Sequence, residues 1–145
     1  MINRRIILFV LPVLLASLGI AQTSKPSTAP ARSAWDGVYS KEQAARGRKA
    51  YDSLCSRCHG EKLGGNDDAP ALDEDFFKRW EGKSVGAMVE YIRKEMPSDG
   101  PGNLTRQQCT DIVTFLLNSN SFPTGNSELS PELDSLNAIQ IKTKK

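Results

Sequence analysis

The chain contains a single histidine, His59, among its 145 residues. It also lacks any alternating apolar–polar run that reads as a strand, any glycine-rich phosphate loop, any internal repeat and any Ser-His-Asp set. With no strand pattern, the fold class is all-α. Cysteine is scarce as well: Cys55, Cys58 and the distant Cys109 are the three present. A structural zinc site asks for four Cys or His ligands, which this set meets only under strain. A redox dithiol expects a βαβ setting, and the missing strands argue against it.

What the chain does have is Cys55-Ser56-Arg57-Cys58-His59. This is the C-x-x-C-H spacing read as a site of covalent haem attachment. Thiols three positions apart lie about one helical turn from each other. Each can add to one vinyl group of the same porphyrin edge, giving two thioether bonds. His59 then lies under the ring and can offer an imidazole nitrogen to iron. If the iron has a histidine ligand, it is this one.

The N-terminus sets an expected compartment. Arg4 and Arg5 precede an almost unbroken apolar run from Ile6 to Leu18, and Gly19-Ile20-Ala21 puts small residues at cleavage positions. Residues 1–21 therefore read as a signal peptide cut after Ala21, with a periplasmic location for the remainder. The alternative is an uncleaved membrane anchor, but the run is short for a span and lacks a stop-transfer cluster. No cysteine at the cut argues against a lipoprotein. The arginine pair fits the twin-arginine route, yet haem attachment follows export of an unfolded chain, which favours general secretion. Losing residues 1–21 takes Lys plus Arg from 19 to 17, against 17 Asp plus Glu. A formally neutral chain does not indicate nucleic acid or an anionic membrane as partner.

Residues 22–34 are small, polar and proline-bearing and read as a flexible linker. The domain is expected over 35–118, followed by a polar C-terminal extension over 119–145. Ser40 with Gln43 fits a capping box opening a helix that the haem pentapeptide closes. Gly47 within it suggests close approach of another helix. Residues 60–75 read as loop. Asp73 to Trp80 reads as a short helix, and Ser84 caps another carrying Val85, Met88, Val89 and Ile92 on one stripe. Pro97 ends that helix. Thr105 with Gln108 opens a last helix with an apolar face of Cys109, Ile112, Val113, Phe115 and Leu116. Ser130-Pro131 could start a short helix presenting Leu133 and Leu136. So small a domain needs extra apolar surface; a haem wedged between helices would supply it, and the apo form is expected to fold poorly.

Met88 lies inside its apolar stripe and reads as a core filler. Met96 is presented at a helix end, where its thioether can turn towards the iron; an open coordination site is the alternative. Cys109 reads as a buried small hydrophobe, with an intermolecular disulfide as the sharper alternative. Trp80 could donate its indole N–H to a haem propionate, or pack with its polar edge wet. Asp67, Asp68, Asp73, Glu74 and Asp75 read as a solvated acidic loop, or else as a dock for a basic partner.

With these residues in place, the chain resembles class I c-type cytochromes over about 40–118. The resemblance rests on Cys55 to His59, Ala69-Pro70-Ala71-Leu72, Met96-Pro97 and the closing amphipathic helix. It implies a cytochrome c fold of three to five helices around one covalently bound haem c. Gly47 and Tyr51 match the family's helix crossing, with Phe115 opposite. Pro70 matches the proline whose carbonyl accepts the free N–H of the haem histidine, and Leu72 is implied to pack on the haem face. Met96, just before a proline, matches the axial methionine. More narrowly, Arg46-Gly47, Cys58 to Gly65, Phe77 to Trp80 and Asn120-Ser121-Phe122-Pro123 are similar to small periplasmic cytochromes accompanying quinoprotein dehydrogenases.

The resemblance implies an electron carrier rather than an enzyme. His59 and Met96 ligate an iron cycling between Fe(II) and Fe(III), with Cys55 and Cys58 as covalent anchors. A quinoprotein alcohol or sugar dehydrogenase is the implied donor and a terminal oxidase or another cytochrome the acceptor. A haem-based ligand sensor, a weak peroxidase and a cytochrome subunit of a dehydrogenase complex are the alternatives. A membrane partner is expected only if the N-terminal segment stays uncleaved.

Overall fold

Ser40 starts the first helix as its spacing predicts. Its Oγ accepts the Gln43 N–H at 3.2 Å and opens α1 (Lys41–Leu54). The other half of the expected box is missing, because the Gln43 side chain turns inward to Leu129 and Asp111. The computed structural model describes residues 32–142. The expected signal peptide and residues 22–31 of the expected linker lie outside them.

The pentapeptide does not simply close α1. Cys55, at φ −124° and ψ −32°, breaks the helix, and Ser56–His59 forms a separate turn, α2. Asp73 caps α3 (Glu74–Arg79), accepting the N–H groups of Asp75 and Phe76. Ser84 caps α4 (Val85–Glu95), which stops before Pro97 as expected. Thr105 and Gln108 form the full reciprocal box at the start of α5 (Arg106–Ser119). A sixth helix, α6 (Leu133–Asn137), lies in the C-terminal extension.

The core is organised by α1 crossing α5. A Cβ built at Gly47 would fall inside the Asp111 carbonyl, so only glycine lets the two backbones meet. Beside the crossing, Tyr51 packs on Phe115 with ring centroids 5.1 Å apart. The apolar stripe expected on α5 is buried, but so are Thr110, Asp111, Thr114 and Leu117. The two threonine hydroxyls bond back to Arg106 and Asp111 carbonyls at 2.8 and 2.7 Å, which satisfies them inside the fold.

The C-terminal extension is part of this fold. Leu129, Leu136, Ile139 and Ile141 are all buried. Two residues of it, β2 (Ile139–Gln140), pair in parallel with β1 (Arg32–Ser33). The linker boundary is corrected accordingly. Arg32 and Ser33 are strand, and Ala34 is fully buried at the start of a 3-10 turn, Ala34–Asp36. A strand of two residues has no periodicity to read. Among the described residues five α-helices begin within 35–118 and a sixth lies beyond it, so the class is all-α. Among the described residues no helix is long and apolar enough to cross a membrane.

Candidate functional site

The site grows from the junction of α1 and α2. The Cys55 N–H still bonds to the Tyr51 carbonyl at 2.8 Å, while the His59 N–H bonds to the Cys55 carbonyl at 2.9 Å. Two consecutive turns thus hold Cys55, Cys58 and His59, all partly buried, on one short stretch. Both cysteines are free thiols. Burial, with the Cys109 and Cys58 sulfurs nearby, pushes the Cys55 thiol up to about 11. A thiol so raised stays protonated at neutral pH and is a poor partner in disulfide exchange.

His59 is held by the loop that follows it. Its Nδ1 lies 2.9 Å from the Pro70 carbonyl oxygen. A carbonyl can only accept, so the proton sits on Nδ1 and the lone pair on Nε2 is free to bind a metal. The loop is tied to deliver that carbonyl. The Gly65 N–H donates to the His59 carbonyl at 2.9 Å. Asn66 Oδ1 accepts from Asp68 and Ala69 at 2.8 and 3.1 Å. The Leu72 N–H reaches the Leu63 carbonyl at 2.8 Å, and both leucines are buried.

Several supports were not anticipated. The Tyr51 hydroxyl, expected only in the helix crossing, also donates to the Gly60 carbonyl at 2.7 Å, just after His59. Asn66 makes an Asx turn, a role its place in a Gly-Asn-Asp run could have suggested. Arg57, inside the pentapeptide, forms an ion pair with Asp99. Asp99 lies three residues after Met96, so the pair brings that loop to the cysteine motif. No sequence pattern marks such a contact across 42 positions.

Met96 caps α4 in extended geometry (φ −123°, ψ 150°), partly buried against the core. Met88 is fully buried, as a core filler should be. Cys109 is fully buried too, which favours packing over an intermolecular bridge, and burial pushes its thiol up to about 11. Trp80 packs edge-on to Tyr91 at 5.6 Å and near Phe76 at 6.1 Å, with Lys83 Nζ 4.9 Å above its ring. In the acidic stretch, Asp73 serves as a cap, and Glu74 and Asp75 pair with Lys78 at 3.3 and 2.9 Å.

These residues fit a covalently held haem. Two free thiols at C-x-x-C spacing can form the thioethers, and the adjacent imidazole has its tautomer set for iron. Among the described residues no three His, Cys, Asp or Glu side chains converge as a metal-ligand group, so a zinc site lacks its ligands there.

The family model described as cytochrome C oxidase, cbb3-type, subunit III matches residues 42–116, slightly more than half of the chain. No curated protein matches the sequence. Among solved structures, the sulfane dehydrogenase SoxCD from Paracoccus pantotrophus is similar at 20% identity over 86% of this chain and 68% of that one, with a TM-score of 0.49.

Proposed function

We propose, for a chain that belongs to the family of cytochrome C oxidase, cbb3-type, subunit III, a role as a periplasmic electron carrier with one haem c. The chain is a class I c-type cytochrome, and haem-based electron transfer is the function its family supports. The observation that carries the finer reading is the 2.9 Å contact of His59 Nδ1 with the Pro70 carbonyl, beside two free thiols.

When bound, haem c supplies a one-electron Fe(II)/Fe(III) couple. The chain's own residues then have distinct tasks. Cys55 and Cys58 tether the porphyrin. His59 would present Nε2 to the iron, its ring oriented by the Pro70 carbonyl. Met96 would offer a thioether from the end of α4, and such a ligand favours the ferrous state relative to a second imidazole. Leu63 and Leu72, both buried in the loop that follows His59, would supply apolar surface to the haem pocket. With both ligands supplied by its own residues, little of the chain would have to move on electron transfer.

Partners are redox proteins. A quinoprotein alcohol or sugar dehydrogenase as donor, and a terminal oxidase or another cytochrome as acceptor, follow from the resemblance of the sequence. Residues 1–21, as a signal peptide, deliver the chain to the periplasm, where the haem is attached.

The test is export of the full chain through a competent cytochrome c maturation pathway. The mature protein should carry one haem that survives denaturation and organic extraction, and should start after Ala21. His59→Ala should abolish the low-spin spectrum and sharply reduce holoprotein. Colourless protein with both thiols free to alkylate would end this reading.

A further inference from the structure

We propose that residues 120–142 act as a strap that positions α4 and so governs how firmly Met96 is held on the iron, with Asn137 as the positioning residue; this rests on the reading of Met96 as axial ligand. A thioether is a weak hydrogen-bond acceptor, so hydrogen bonding does little to fix the Met96 side chain. Its placement depends on the helix that presents it. That helix packs mainly against α5, α6 and β2, and the last two belong to the strap.

The strap grips the far end of α4. The Ser84 Oγ, which caps the helix, lies 3.1 Å from Asn137 Oδ1 and can donate to it. The Asn137 side chain also sits on Gly86, where a Cβ would take the place of its amide oxygen. Two backbone bonds hold the approach to the helix: Ile141 N–H to the Lys83 carbonyl at 2.9 Å, and Gly82 N–H to the Ile141 carbonyl at 2.8 Å. Nearer Met96, α4 is fixed to α5 instead, through Glu90 and Arg106 at 2.9 Å. From Ser84 to Met96 is about 18 Å at helical rise. A stiff rod pinned at two points cannot pivot. Released at one, it can swing its other end.

The strap's own ends are anchored. Asn120 Nδ2 donates to the Leu72 carbonyl at 3.0 Å, in the loop that delivers Pro70 to His59. Trp35 Nε1 donates to the Lys142 carbonyl at 2.7 Å, and β1 pairs with β2. One segment therefore braces the supports of both axial ligands. A loose strap would leave Met96 free to leave the iron, turning a carrier into a protein that binds external ligands.

The experiment uses full-chain holoprotein. Two readouts are followed: loss of the Met–Fe(III) charge-transfer band on heating, compared with helix melting by circular dichroism, and carbon monoxide binding to the reduced protein. In the wild type, band and helices are expected to be lost together. In Asn137→Ala the band should disappear well before the helices melt, and carbon monoxide should bind about fivefold faster, the factor that one lost hydrogen bond supports. Gly86→Ala raises helix propensity while displacing the Asn137 amide. It should also speed carbon monoxide binding, which a purely structural role does not predict. In a Met96→Ala background, Asn137→Ala should add nothing. Band and helices melting together in both variants, with unchanged carbon monoxide rates, overturn the strap. A wild type with no Met band shows instead that the ligand assignment has failed, and the strap falls with it.

Discussion

Gln43 holds Leu129 from both sides of its backbone. Its Oε1 accepts the Leu129 N–H at 2.7 Å, and its Nε2 donates to the Leu129 carbonyl at 2.9 Å and to Asp111 Oδ1 at 3.1 Å. The side chain is fully buried. One amide thus substitutes for a strand neighbour and fastens the C-terminal segment to α1. Gln43→Ala leaves two backbone groups of Leu129 without partners, and water has little access to replace them. Each such orphan costs about 1–3 kcal/mol, so the variant should lose at least about 2 kcal/mol of holoprotein stability. Urea unfolding followed at the haem and in the far ultraviolet checks this. Gln43→Glu should fare little better, because a carboxylate cannot donate to the Leu129 carbonyl. Unchanged stability in both variants would mean that Leu129 finds other partners.

Glu90 should contribute to the acid limb of the stability profile. Hydrogen bonds from Arg93 and then Arg106, both at 2.9 Å, pull its carboxyl from 4.5 down to about 2. A carboxylate depressed on folding contributes fully above its unfolded value, and that contribution is lost as pH falls through the folded one. The window is therefore about pH 4.5 down to about 2. Glu90→Gln should be less stable than wild type at neutral pH, and the difference should shrink across that window. Thermal melts at several pH values measure it. A constant difference from pH 7 to pH 2 would show that the carboxylate charge is not what matters.

Much of this was legible in the chain. The caps at Ser84 and Thr105 and the Gly47–Tyr51–Phe115 crossing each have a local or family pattern, and the structure places them accordingly. The Pro70 carbonyl oxygen lies 2.9 Å from His59 Nδ1. The role of the C-terminal segment was not legible. Its grip on α1 joins Gln43 to Leu129 across 86 positions, and its own elements are a helix of five residues and a strand of two. The helix is the one that Ser130-Pro131 with Leu133 and Leu136 suggests, but nothing local says where it packs, and the strand is too short to show a period. The buried polar face of α5 has a different cause. Thr110, Asp111 and Thr114 look solvent-facing until something distant is known to cover them.

Met96→Ala separates the two halves of the site. The thioether bonds depend on Cys55 and Cys58 alone, so haem should remain covalently attached. Iron that loses a thioether loses the ligand that favours Fe(II), and the reduction potential should fall on the order of 100 mV, well inside the roughly 0.8 V range that axial ligands span. The opened position should take carbon monoxide readily. Redox titration and a carbon monoxide difference spectrum test both points. Met88→Ala is the matched control. Met88 is fully buried in α4, so its truncation should cost about 2–5 kcal/mol of stability while leaving the spectrum intact. If Met88→Ala removes the Met band and Met96→Ala does not, the two methionines have been assigned the wrong way round.

The Arg57–Asp99 ion pair should matter for the redox couple far less than its position suggests. It joins the cysteine motif to the loop after Met96, yet the two side chains are 78% and 59% exposed. Exposed pairs gain little, because water solvates both charges nearly as well apart. Arg57→Ala should therefore leave the unfolding midpoint unchanged. It does remove one positive charge from the cysteine motif and leaves Asp99 unpaired, and both changes should favour Fe(III). The potential should drop by on the order of 10 mV at low salt, as expected for charges interacting through water. At 1 M salt the screening length is about 3 Å, and the shift should vanish. Paired redox titrations at low and high ionic strength decide the matter. A large shift that persists in salt would mean that haem binding covers the pair and takes it out of water.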